Sequence, residues 1–275
     1  MSNQLYAVVG HPVSHSKSPR IHSLFARQTG EPIEYTSIQA PLDGFATTVR
    51  EFFDGGGGGL NVTVPFKEQA WELAGRRTVR AEKAGAANTL YHNSDGQLVA
   101  DNTDGHGLVR DLTINHGVQL KGARVLILGA GGAVRGVLGP LLEQQPSSLM
   151  IANRTLAKAE ALARLFADEA RATTLGACGF EAPDQPFDVI INGTSASLQG
   201  DLPPLRTNVI AAGTVVYDMM YSLQATTFNQ WALDNGAVRV FDGLGMLIEQ
   251  AAESFRVWRG VQPDTAPVID ALRND

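Results

Sequence analysis

An apolar run at residues 125–128 leads directly into the glycine-rich turn GAGGA, and a helical pattern follows. A buried strand that ends in such a turn lets the backbone approach a pyrophosphate, and the helix start offers free amides and a positive dipole end. The third glycine of G-x-G-x-x-G is missing, because Val134 stands there. We interpret the turn as dinucleotide-binding; the alternative is glycines that only permit close helix–strand packing. The residues assigned to it are Gly129, Ala130, Gly131, Gly132 and Ala133.

The alternation of apolar runs with helical patterns predicts the fold class. Such alternation is typical of an α/β protein with a parallel, doubly wound sheet. We expect two lobes, one of residues 1–105 and one of residues 106–242, with the segment 243–275 returning to the first. The predicted strands are 5–9, 33–38, 60–64, 90–92, 98–101, 125–128, 149–152, 189–191 and 214–217. The predicted helices include one that opens at Pro65, one at 104–116 that joins the lobes, and one at 244–258.

Composition and charge exclude several classes of protein. The chain has 275 residues, and 22 basic against 28 acidic side chains give a net charge of −6, which does not suit a general nucleic-acid binder. Cys178 is the single cysteine, so an intramolecular disulfide framework is excluded and a reducing cytoplasm is expected. The N-terminus does not read as a secretory signal, and the apolar runs are too short to span a bilayer. His11, His15 and His22 lack a metal-ligand pattern, so we expect no metal site.

The end of the second predicted strand of the later lobe indicates which dinucleotide binds. Enzymes that use NAD usually carry Asp or Glu there to bind the ribose hydroxyl. Here Asn153, Arg154 and Thr155 follow the strand, and Lys158 lies one helical turn on. Arg154 can pair with a 2′-phosphate, and Thr155 can donate a hydroxyl and cap the helix. The pattern favours NADP over NAD; the alternative is that Arg154 and Lys158 are solvated surface cations.

Polar side chains at two strand ends of the first lobe are candidates for catalysis. Thr63 and Lys67 lie in NVTVPFK, and Asp104 lies in DNTDG. Both segments follow predicted strands, and ligands of open α/β sheets bind at the carboxyl ends of strands. Asn88 precedes the predicted hairpin. A lysine beside a carboxylate can hold a proton and pass it to or from an oxygen atom. The alternative is that Lys67 and Asp104 are two unrelated surface charges.

Ser16 and Ser18 stand just before the first predicted helix, in SHSKSP. Their hydroxyls, with the helix dipole, can hold a carboxylate group of a small-molecule substrate. The alternative is that Ser18 only caps the helix.

The segments SHSKSP, NVTVPFK, GAxNTL, DNTDG, GAGGA, NRT, INGTS, YDMMY and DGLGMLIEQ occur in this order. The order of these segments resembles that in the shikimate dehydrogenases, and the resemblance extends from near residue 10 to about residue 250. The resemblance implies reversible, NADPH-dependent reduction of 3-dehydroshikimate to shikimate in aromatic amino-acid biosynthesis. It also implies a substrate-binding domain (1–105 plus 243–275), a Rossmann-like NADP-binding domain (106–242), and a cleft that closes on ligand. Residues 195–199 depart from the family pattern, so no site residue is assigned there.

The resemblance also implies roles for individual residues. Lys67 and Asp104 correspond to the pair that handles the transferred proton. The residues that correspond to substrate contacts are Ser16, Ser18, Thr63, Lys67, Asn88, Asp104, Tyr221 and Gln250. The residues that correspond to cofactor contacts are Gly129, Ala130, Gly131, Gly132, Ala133, Asn153, Arg154, Thr155, Lys158, Met219 and Gly243.

Two other functions stay open at this point. One is a quinate/shikimate dehydrogenase that uses NAD, against which Arg154 argues. The other is a non-catalytic module that senses shikimate or NADP; such a module could dispense with the lysine–aspartate pair, which this chain keeps.

A small-molecule substrate is the expected partner, with no nucleic acid and no membrane, and the chain is expected to be a monomer or a homodimer. His106 is expected on a helix surface, where it could modulate Asp104.

Overall fold

The structure is a computed structural model that describes residues 3–194 and 201–274 of the chain. Residues 195–199, where the sequence departs from the family pattern, lie outside the described residues. The chain divides into two compact units, Met1–Gly107 with Ile248–Asp275, and Leu108–Leu247. Each unit combines helices with a sheet of six described strands, so the predicted α/β class is confirmed.

The first unit is built on six described strands, namely β1 (Gln4–Gly10), β2 (Ile33–Gln39), β3 (Gly59–Val62), β4 (Arg76–Arg77), β5 (Thr89–His92) and β6 (Leu98–Asp101). Their order across the sheet is β2-β1-β3-β5-β6-β4. β1 lies parallel to both β2 and β3, whereas β5 is antiparallel to β3 and β6. The antiparallel pair β5–β6 is the predicted hairpin, and it brings the end of β6 beside the start of β5.

The helices of the first unit are α1 (Ser18–Thr29), α2 (Phe45–Asp54), α3 (Lys67–Leu73), α4 (Val79–Ala84), α5 (Asp104–Arg110, whose last residues pass into the second unit) and α11 (Ala266–Arg273). The face of α2 formed by Phe45, Val49 and Phe52 is buried against the sheet, as its i, i+4, i+7 spacing predicts. All four residues of β3 are buried, as expected for a central strand covered on both faces, and Asn61 is the polar residue among them.

The segment between β3 and α3 differs from the prediction. The strand was expected to continue to residue 64 and the helix to open at Pro65, but β3 ends at Val62 and α3 begins at Lys67. A turn intervenes, in which the amide of Phe66 donates to the carbonyl of Thr63 at 3.0 Å. Because the strand stops at Val62, the side chain of Val64 does not share its burial: Val62 is 2% exposed and Val64 is 62% exposed.

The second unit is built on six described strands, namely β7 (Arg124–Leu128), β8 (Ser148–Ala152), β9 (Thr174–Cys178), β10 (Val189–Asn192), β11 (Val215–Asp218) and β12 (Arg239–Asp242). Their order is β12-β11-β10-β7-β8-β9, and every neighbouring pair is parallel. The order changes direction at β7, the strand that precedes the glycine-rich turn. That position is the topological switch point where open α/β sheets bind ligands.

The helices that follow in the chain are α6 (Gly132–Glu143), α7 (Leu156–Leu165), α8 (Ala167–Ala170), α9 (Thr227–Asp234) and α10 (Leu244–Arg259). α10 begins in the second unit and continues into the first, where its residues from Ile248 onward belong. No helix in the described part of the chain is long and apolar enough to cross a membrane.

The helix expected over residues 104–116 is shorter than predicted. α5 ends at Arg110, and a π-helical segment, Asp111–Asn115, continues from it. The buried carboxylate of Asp111 accepts hydrogen bonds from the Tyr217 hydroxyl at 2.6 Å and from Asn115 Nδ2 at 2.9 Å. The widened turn coincides with these tertiary contacts, which no local sequence pattern reveals.

Three strands were not predicted. β9 and β12 are the edges of the second sheet, and their residues are mostly half-buried or exposed, so they lack the apolar signature of a central strand. β4 consists of two exposed arginines, Arg76 and Arg77. Short or half-exposed edge strands carry little sequence signal.

His22 is a buried histidine on α1, without solvent exposure. Its ring stacks on Tyr35, with centroids 4.1 Å apart and planes 3° from parallel, and Trp258 and Phe25 lie beside it. Burial lowers the pKa of His22 from 6.5 to about 3. The imidazole is therefore neutral in the folded protein at neutral pH, where it packs as an aromatic ring.

We expect His22 to make stability pH-dependent. Because its folded pKa is depressed, the stabilisation is complete above pH 6.5 and is lost progressively as the pH falls toward 3. His22→Phe keeps an aromatic ring but cannot bind a proton, so its free energy of unfolding should decline less over that range. Urea denaturation at several pH values measures the difference. His15→Phe, at an exposed position, serves as the control and should behave like the unmodified chain. Parallel pH curves for His22→Phe and the unmodified chain would contradict the expectation.

Candidate active site

An ion pair between Lys67 and Asp104 lies at the centre of the candidate site. The Lys67 ammonium donates to Asp104 Oδ2 at 2.6 Å, with 32% and 14% of the two side chains exposed. Each is the first residue of a helix, α3 or α5, that follows a strand end of the first sheet. The ends of β3 and β6 therefore bring together two residues that are 37 positions apart. The pair can hold a proton at a position that solvent or a ligand can reach.

The DNTDG segment is fixed by hydrogen bonds of its own. Asn102 Oδ1 accepts from the amide of Asp104 at 3.1 Å, and Asn102 Nδ2 donates to the carbonyl of Ala86 at 3.0 Å. The amide of Asn102 donates to Asp101 Oδ1 at 2.7 Å. These bonds fix the start of α5 and thereby the direction of the Asp104 side chain.

Asn88 joins the other oxygen of Asp104 to α10. Its Nδ2 donates to Asp104 Oδ1 at 2.8 Å and to Gln250 Oε1 at 2.9 Å. Four of the residues assigned to the site from the sequence, Lys67, Asn88, Asp104 and Gln250, thus form one hydrogen-bonded group. The carboxylate of Asp104 is engaged on both oxygens, by Lys67 and by Asn88.

The two serines lie at the start of α1. Ser18 is the first helical residue rather than the N-cap, so the alternative that it only caps the helix is wrong; Lys17 holds the cap position without a side-chain bond. Ser16 Oγ accepts from the amide of Ser18 at 3.2 Å. Burial raises the pKa of Tyr35 well above its usual range, and a hydrogen bond with Ser18 opposes that rise.

Thr63 lies just after β3, and no described side-chain hydrogen bond joins it to Lys67 or Asp104. Its amide donates to the carbonyl of Val9 at 2.9 Å. Its methyl group occupies the space that a Cβ at Gly10 would need, so a side chain at Gly10 would displace Thr63. Backbone contacts with β1 therefore set the position of Thr63.

Several buried polar residues near this group were not singled out from the sequence. Asn61 Oδ1 accepts from the Tyr35 hydroxyl at 2.8 Å, and Asn61 Nδ2 donates to Ser254 Oγ at 3.0 Å. Thr89 and Thr103 are fully buried beside Ser254. The only available signal was polar residues within NVTV and DNTDG, at positions where buried strands usually carry apolar ones.

Arg80 connects two buried carboxylates behind the site. Its guanidinium donates twice to Asp101, from Nε and Nη2 at 2.6 Å each, and from Nη1 to Glu253 Oε1 at 2.8 Å. Both carboxylate side chains are 2% exposed. Burial alone would raise the pKa of Glu253, but hydrogen bonds from Arg256 and Arg80 outweigh it and lower that pKa to about 2. Arg80 thereby ties α10, which carries Gln250, to the strand that leads to Asp104.

His106 was expected on a helix surface. Its side chain is 36% exposed, and its Nε2 also lies 3.7 Å from Glu253 Oε2.

The glycine-rich turn of the second unit fits a dinucleotide phosphate. Gly129 has a φ of +104°, and a Cβ there would lie 3.3 Å from the carbonyl oxygen of Gly193, so only glycine suits the position. α6 begins at Gly132 with Gly131 as its N-cap, and no side chain caps its amides. A Cβ on Gly131 or Gly132 would meet nothing within 4 Å. The turn therefore leaves open space beside the start of α6, where an anion can approach the helix N-terminus.

The end of β8 fits NADP by its charge. Arg154, Thr155 and Lys158 are exposed there, and this strand end carries no carboxylate. Asn153 Nδ2 donates to the carbonyl of Thr155 at 2.9 Å, which holds the loop. Thr155 occupies the N-cap position of α7, but its hydroxyl makes no capping bond, so the predicted cap is wrong. The hydroxyl and the two cations are a donor set suited to a 2′-phosphate.

The remaining assigned residues lie at the ends of β11 and β12. Gly243 donates its amide to the carbonyl of Met220 at 3.0 Å, and a Cβ on Gly243 would overlap the backbone of Met219. Met219 is 8% exposed and Tyr221 is 40% exposed. Burial of its ring raises the pKa of Tyr221, so the phenol stays protonated at neutral pH.

Comparison with known proteins identifies the family. Residues 8–90 match the shikimate dehydrogenase substrate binding domain, residues 112–199 match the shikimate/quinate 5-dehydrogenase model, and residues 243–273 match the shikimate 5′-dehydrogenase C-terminal domain. A shikimate dehydrogenase (NADP(+)) from Marinobacter nauticus is 73% identical over 275 residues, 100% of each chain. The chain belongs to the shikimate dehydrogenase family. The resemblance found in the sequence motifs is thus confirmed.

Solved structures agree with membership of the shikimate dehydrogenase family. The Ael1 enzyme from Pseudomonas putida is 49% identical, with a TM-score of 0.93 and 98% of both chains covered. A shikimate 5-dehydrogenase from Thermus thermophilus in complex with NADP(H) and shikimate is 31% identical, with a TM-score of 0.86 over 98% of this chain and 99% of the other.

Glu253 should make this shikimate dehydrogenase family member sensitive to acid. Because its folded pKa is lowered from 4.5 to about 2, its stabilisation is complete above pH 4.5 and is lost as the pH falls toward 2. Glu253→Gln should lower the free energy of unfolding at pH 7 by roughly 3 kcal/mol, because Arg80 loses a buried partner. The variant should also decline less between pH 4.5 and 2. Glu160→Gln, at a half-exposed position on α7, is the control in the same denaturation series. Equal losses in the two variants would contradict a special role for Glu253.

Proposed function

We propose that this chain is an NADP-dependent shikimate dehydrogenase, which reversibly reduces 3-dehydroshikimate to shikimate within aromatic amino-acid biosynthesis. The observation that carries the proposal is the 2.6 Å contact between Lys67 and Asp104. It occurs in a chain 73% identical, over its whole length, to a protein named shikimate dehydrogenase (NADP(+)). A module that only sensed its ligand would not need this pair.

Lys67 and Asp104 handle the proton of the reaction. NADPH, when bound, supplies the hydride that reduces the carbonyl carbon. The carbonyl oxygen then gains negative charge, which the Lys67 ammonium stabilises, and Lys67 delivers a proton to that oxygen. Asp104 holds the ammonium in place. In the reverse direction Lys67 takes the proton from the substrate hydroxyl.

The substrate is held by uncharged groups as well as by the ion pair. Ser16 and Ser18, at the start of α1, bind its carboxylate, where the helix dipole adds attraction. Thr63, Asn88 and Asp104 contact its ring hydroxyl groups. The family resemblance implies Gln250 and Tyr221 as further substrate contacts.

The second unit holds the cofactor. The amides of the turn at residues 129–133 bind the pyrophosphate, with the start of α6 supplying the dipole. Asn153, Arg154, Thr155 and Lys158 bind the adenosine 2′-phosphate end, and Met219 and Gly243 shape the nicotinamide site. Lys158 supplies a positive charge without the planar fork of a guanidinium.

The cellular setting is inferred from general properties of the chain. A single, half-buried free cysteine and a net charge of −6 support a cytoplasmic enzyme that acts on small molecules rather than on nucleic acid. We infer a monomer or a homodimer, which light scattering of the purified protein distinguishes.

A spectrophotometric assay tests the proposal directly. The purified chain is mixed with shikimate or quinate and with NADP or NAD, and absorbance of the reduced cofactor is followed. Quinate belongs in the assay because the family model over residues 112–199 is described for shikimate and quinate dehydrogenases. Turnover of shikimate with NADP is expected. A higher kcat/KM with NAD would favour the quinate/shikimate enzyme, and no turnover by folded protein would favour a sensing module.

Lys67→Ala should lower kcat by at least ~10²-fold, because the variant lacks the general acid. Binding of shikimate, measured by titration calorimetry, should persist through the serines and the amides. Lys121→Ala, at an exposed position in the second unit, controls for the loss of a lysine. An unchanged kcat in Lys67→Ala would remove this residue from the chemistry.

Arg154→Ala should lower kcat/KM for NADP by roughly 10-fold to 100-fold, the loss expected for a charge-assisted hydrogen bond to phosphate. The value for NAD should change little, because NAD lacks the 2′-phosphate. Arg164→Ala near the end of α7, the helix that follows Arg154, is the matched control, because its side chain is 71% exposed. An equal loss of kcat/KM with NADP and with NAD would show that Arg154 does not bind the 2′-phosphate.

A further inference from the structure

Three hydroxyl groups meet in the interior of the first unit, just behind the candidate active site. Thr89, Thr103 and Ser254 are all without solvent exposure. Ser254 Oγ lies 2.8 Å from Thr89 Oγ1 and 3.2 Å from Thr103 Oγ1. They come from β5, from the residue before α5, and from α10. We call these three residues the hydroxyl cluster.

The side-chain amide of Asn88 is oriented by the backbone amide of Thr103 together with the hydroxyl cluster. The backbone amide of Thr103 can only donate, and it lies 2.9 Å from one atom of that side chain. That atom must therefore be the carbonyl oxygen, Oδ1. The Thr89 hydroxyl donates to the same oxygen at 2.9 Å. The backbone amide of Thr103 excludes the flipped side chain, whose NH2 group would face another donor, and the Thr89 hydroxyl adds a second hydrogen bond to the oxygen.

With its oxygen fixed in this way, Asn88 presents its NH2 group to the site. Nδ2 lies 2.8 Å from Asp104 Oδ1, 2.9 Å from Gln250 Oε1 and 2.8 Å from Thr103 Oγ1. Since Nδ2 donates, the atom of Gln250 that faces it is the carbonyl oxygen. The NH2 group of Gln250 therefore points away from Asn88. The orientation of one amide thus fixes the orientation of the next.

The hydroxyl cluster also holds the main chain of Gln250. Thr103 Oγ1 donates to the Gln250 carbonyl at 2.9 Å, while it accepts from Asn88 Nδ2. Ser254 Oγ lies 3.1 Å from the same carbonyl and accepts from Asn61 Nδ2 at 3.0 Å. The turn of α10 that carries Gln250 is thereby attached to the segment that carries Asp104.

We propose that Thr103 and Ser254 are positioning residues, which fix the side-chain amides of Asn88 and Gln250 so that they meet the substrate with a set pattern of donors and acceptors. Thr103 and Ser254 have no solvent exposure, and they act on the substrate only through these two amides. The proposal rests on the proposed function, because Asn88 and Gln250 are taken there as substrate contacts. Oriented amides of this kind distinguish a substrate that has a hydroxyl group at a given ring position from one that has only a hydrogen there. The second substrate would leave a buried amide unpaired, which is costly.

Thr103→Val is the decisive variant. Valine keeps the volume and the backbone amide of Thr103 but removes the hydroxyl that accepts from Asn88 and donates to Gln250. We expect the KM for shikimate to rise about tenfold, the equivalent of one lost hydrogen bond, with the KM for NADP within about twofold of the unmodified value. Thr103→Ser restores the hydroxyl and should return the KM for shikimate to within about threefold of the unmodified value.

Two further variants separate positioning from a loss of stability. Thr214→Val removes a buried hydroxyl in the second unit, where it donates to the carbonyl of Phe187 at 2.7 Å and accepts from Ala211. It should lower Tm without raising the KM for shikimate. Ser254→Ala removes the other hydroxyl contact to the Gln250 carbonyl and should also raise the KM for shikimate. If Thr103→Val does not fold, Ser254→Ala provides the test instead.

The outcomes distinguish this proposal from the proposed function. An unmodified chain that does not turn over shikimate overturns the function itself. An active chain in which Thr103→Val and Ser254→Ala leave the KM for shikimate at the level of Thr214→Val overturns the positioning role alone. The same conclusion follows if Thr103→Ser fails to rescue the KM for shikimate, because the hydroxyl is then not the feature that matters.

Discussion

The contact between the Lys67 ammonium and the Asp104 carboxylate is the interaction on which the rest of the site depends. Its two partners begin separate helices, so its geometry requires β3 and β6 to end at the same place, and it fails if either helix starts a residue later. With 32% and 14% of the side chains exposed, the pair is accessible enough to exchange a proton. It is also sheltered enough for the attraction between the charges to hold them together.

Burying charge behind such a pair is costly unless the charges balance, and the first unit balances them. Arg80 and Arg256 face Asp101 and Glu253, two cations against two carboxylates. The arrangement fastens α10 to β6 by charge-assisted bonds while adding no net charge to the surroundings of Asp104. Replacing Arg80 would leave the buried carboxylate of Asp101 without its ion-pair partner, which is far more damaging than loss of an exposed ion pair.

The sequence predicted the parts of the molecule whose signals are local. The apolar run before GAGGA predicted β7 and the switch point, and strand-end motifs brought Lys67 and Asp104 forward as candidates. The sequence did not reveal contacts made across long separations: Arg80 and Glu253 lie 173 positions apart, and Asn61 and Ser254 lie 193 apart. Nor did it reveal the π-helical turn at Asp111, because the hydroxyl that bonds this carboxylate comes from Tyr217, 106 positions later. Burial and pairing of such groups are tertiary properties that no spacing rule encodes.

The contrast between the charged network and the hydroxyl cluster suggests a division of work in the first unit. Charged groups lie where elements are fastened together, at Arg80 and Glu253, whereas the Thr89 and Thr103 side chains that contact Asn88 from behind the site are uncharged hydroxyls. A charge placed at Thr103 or Ser254 would attract or repel the charges of the Lys67–Asp104 ion pair directly. A hydroxyl orients an amide with far less effect on that ion pair. Neutral positioning next to the ion pair therefore allows the geometry of Asn88 and Gln250 to be set independently of the acid–base balance between Lys67 and Asp104.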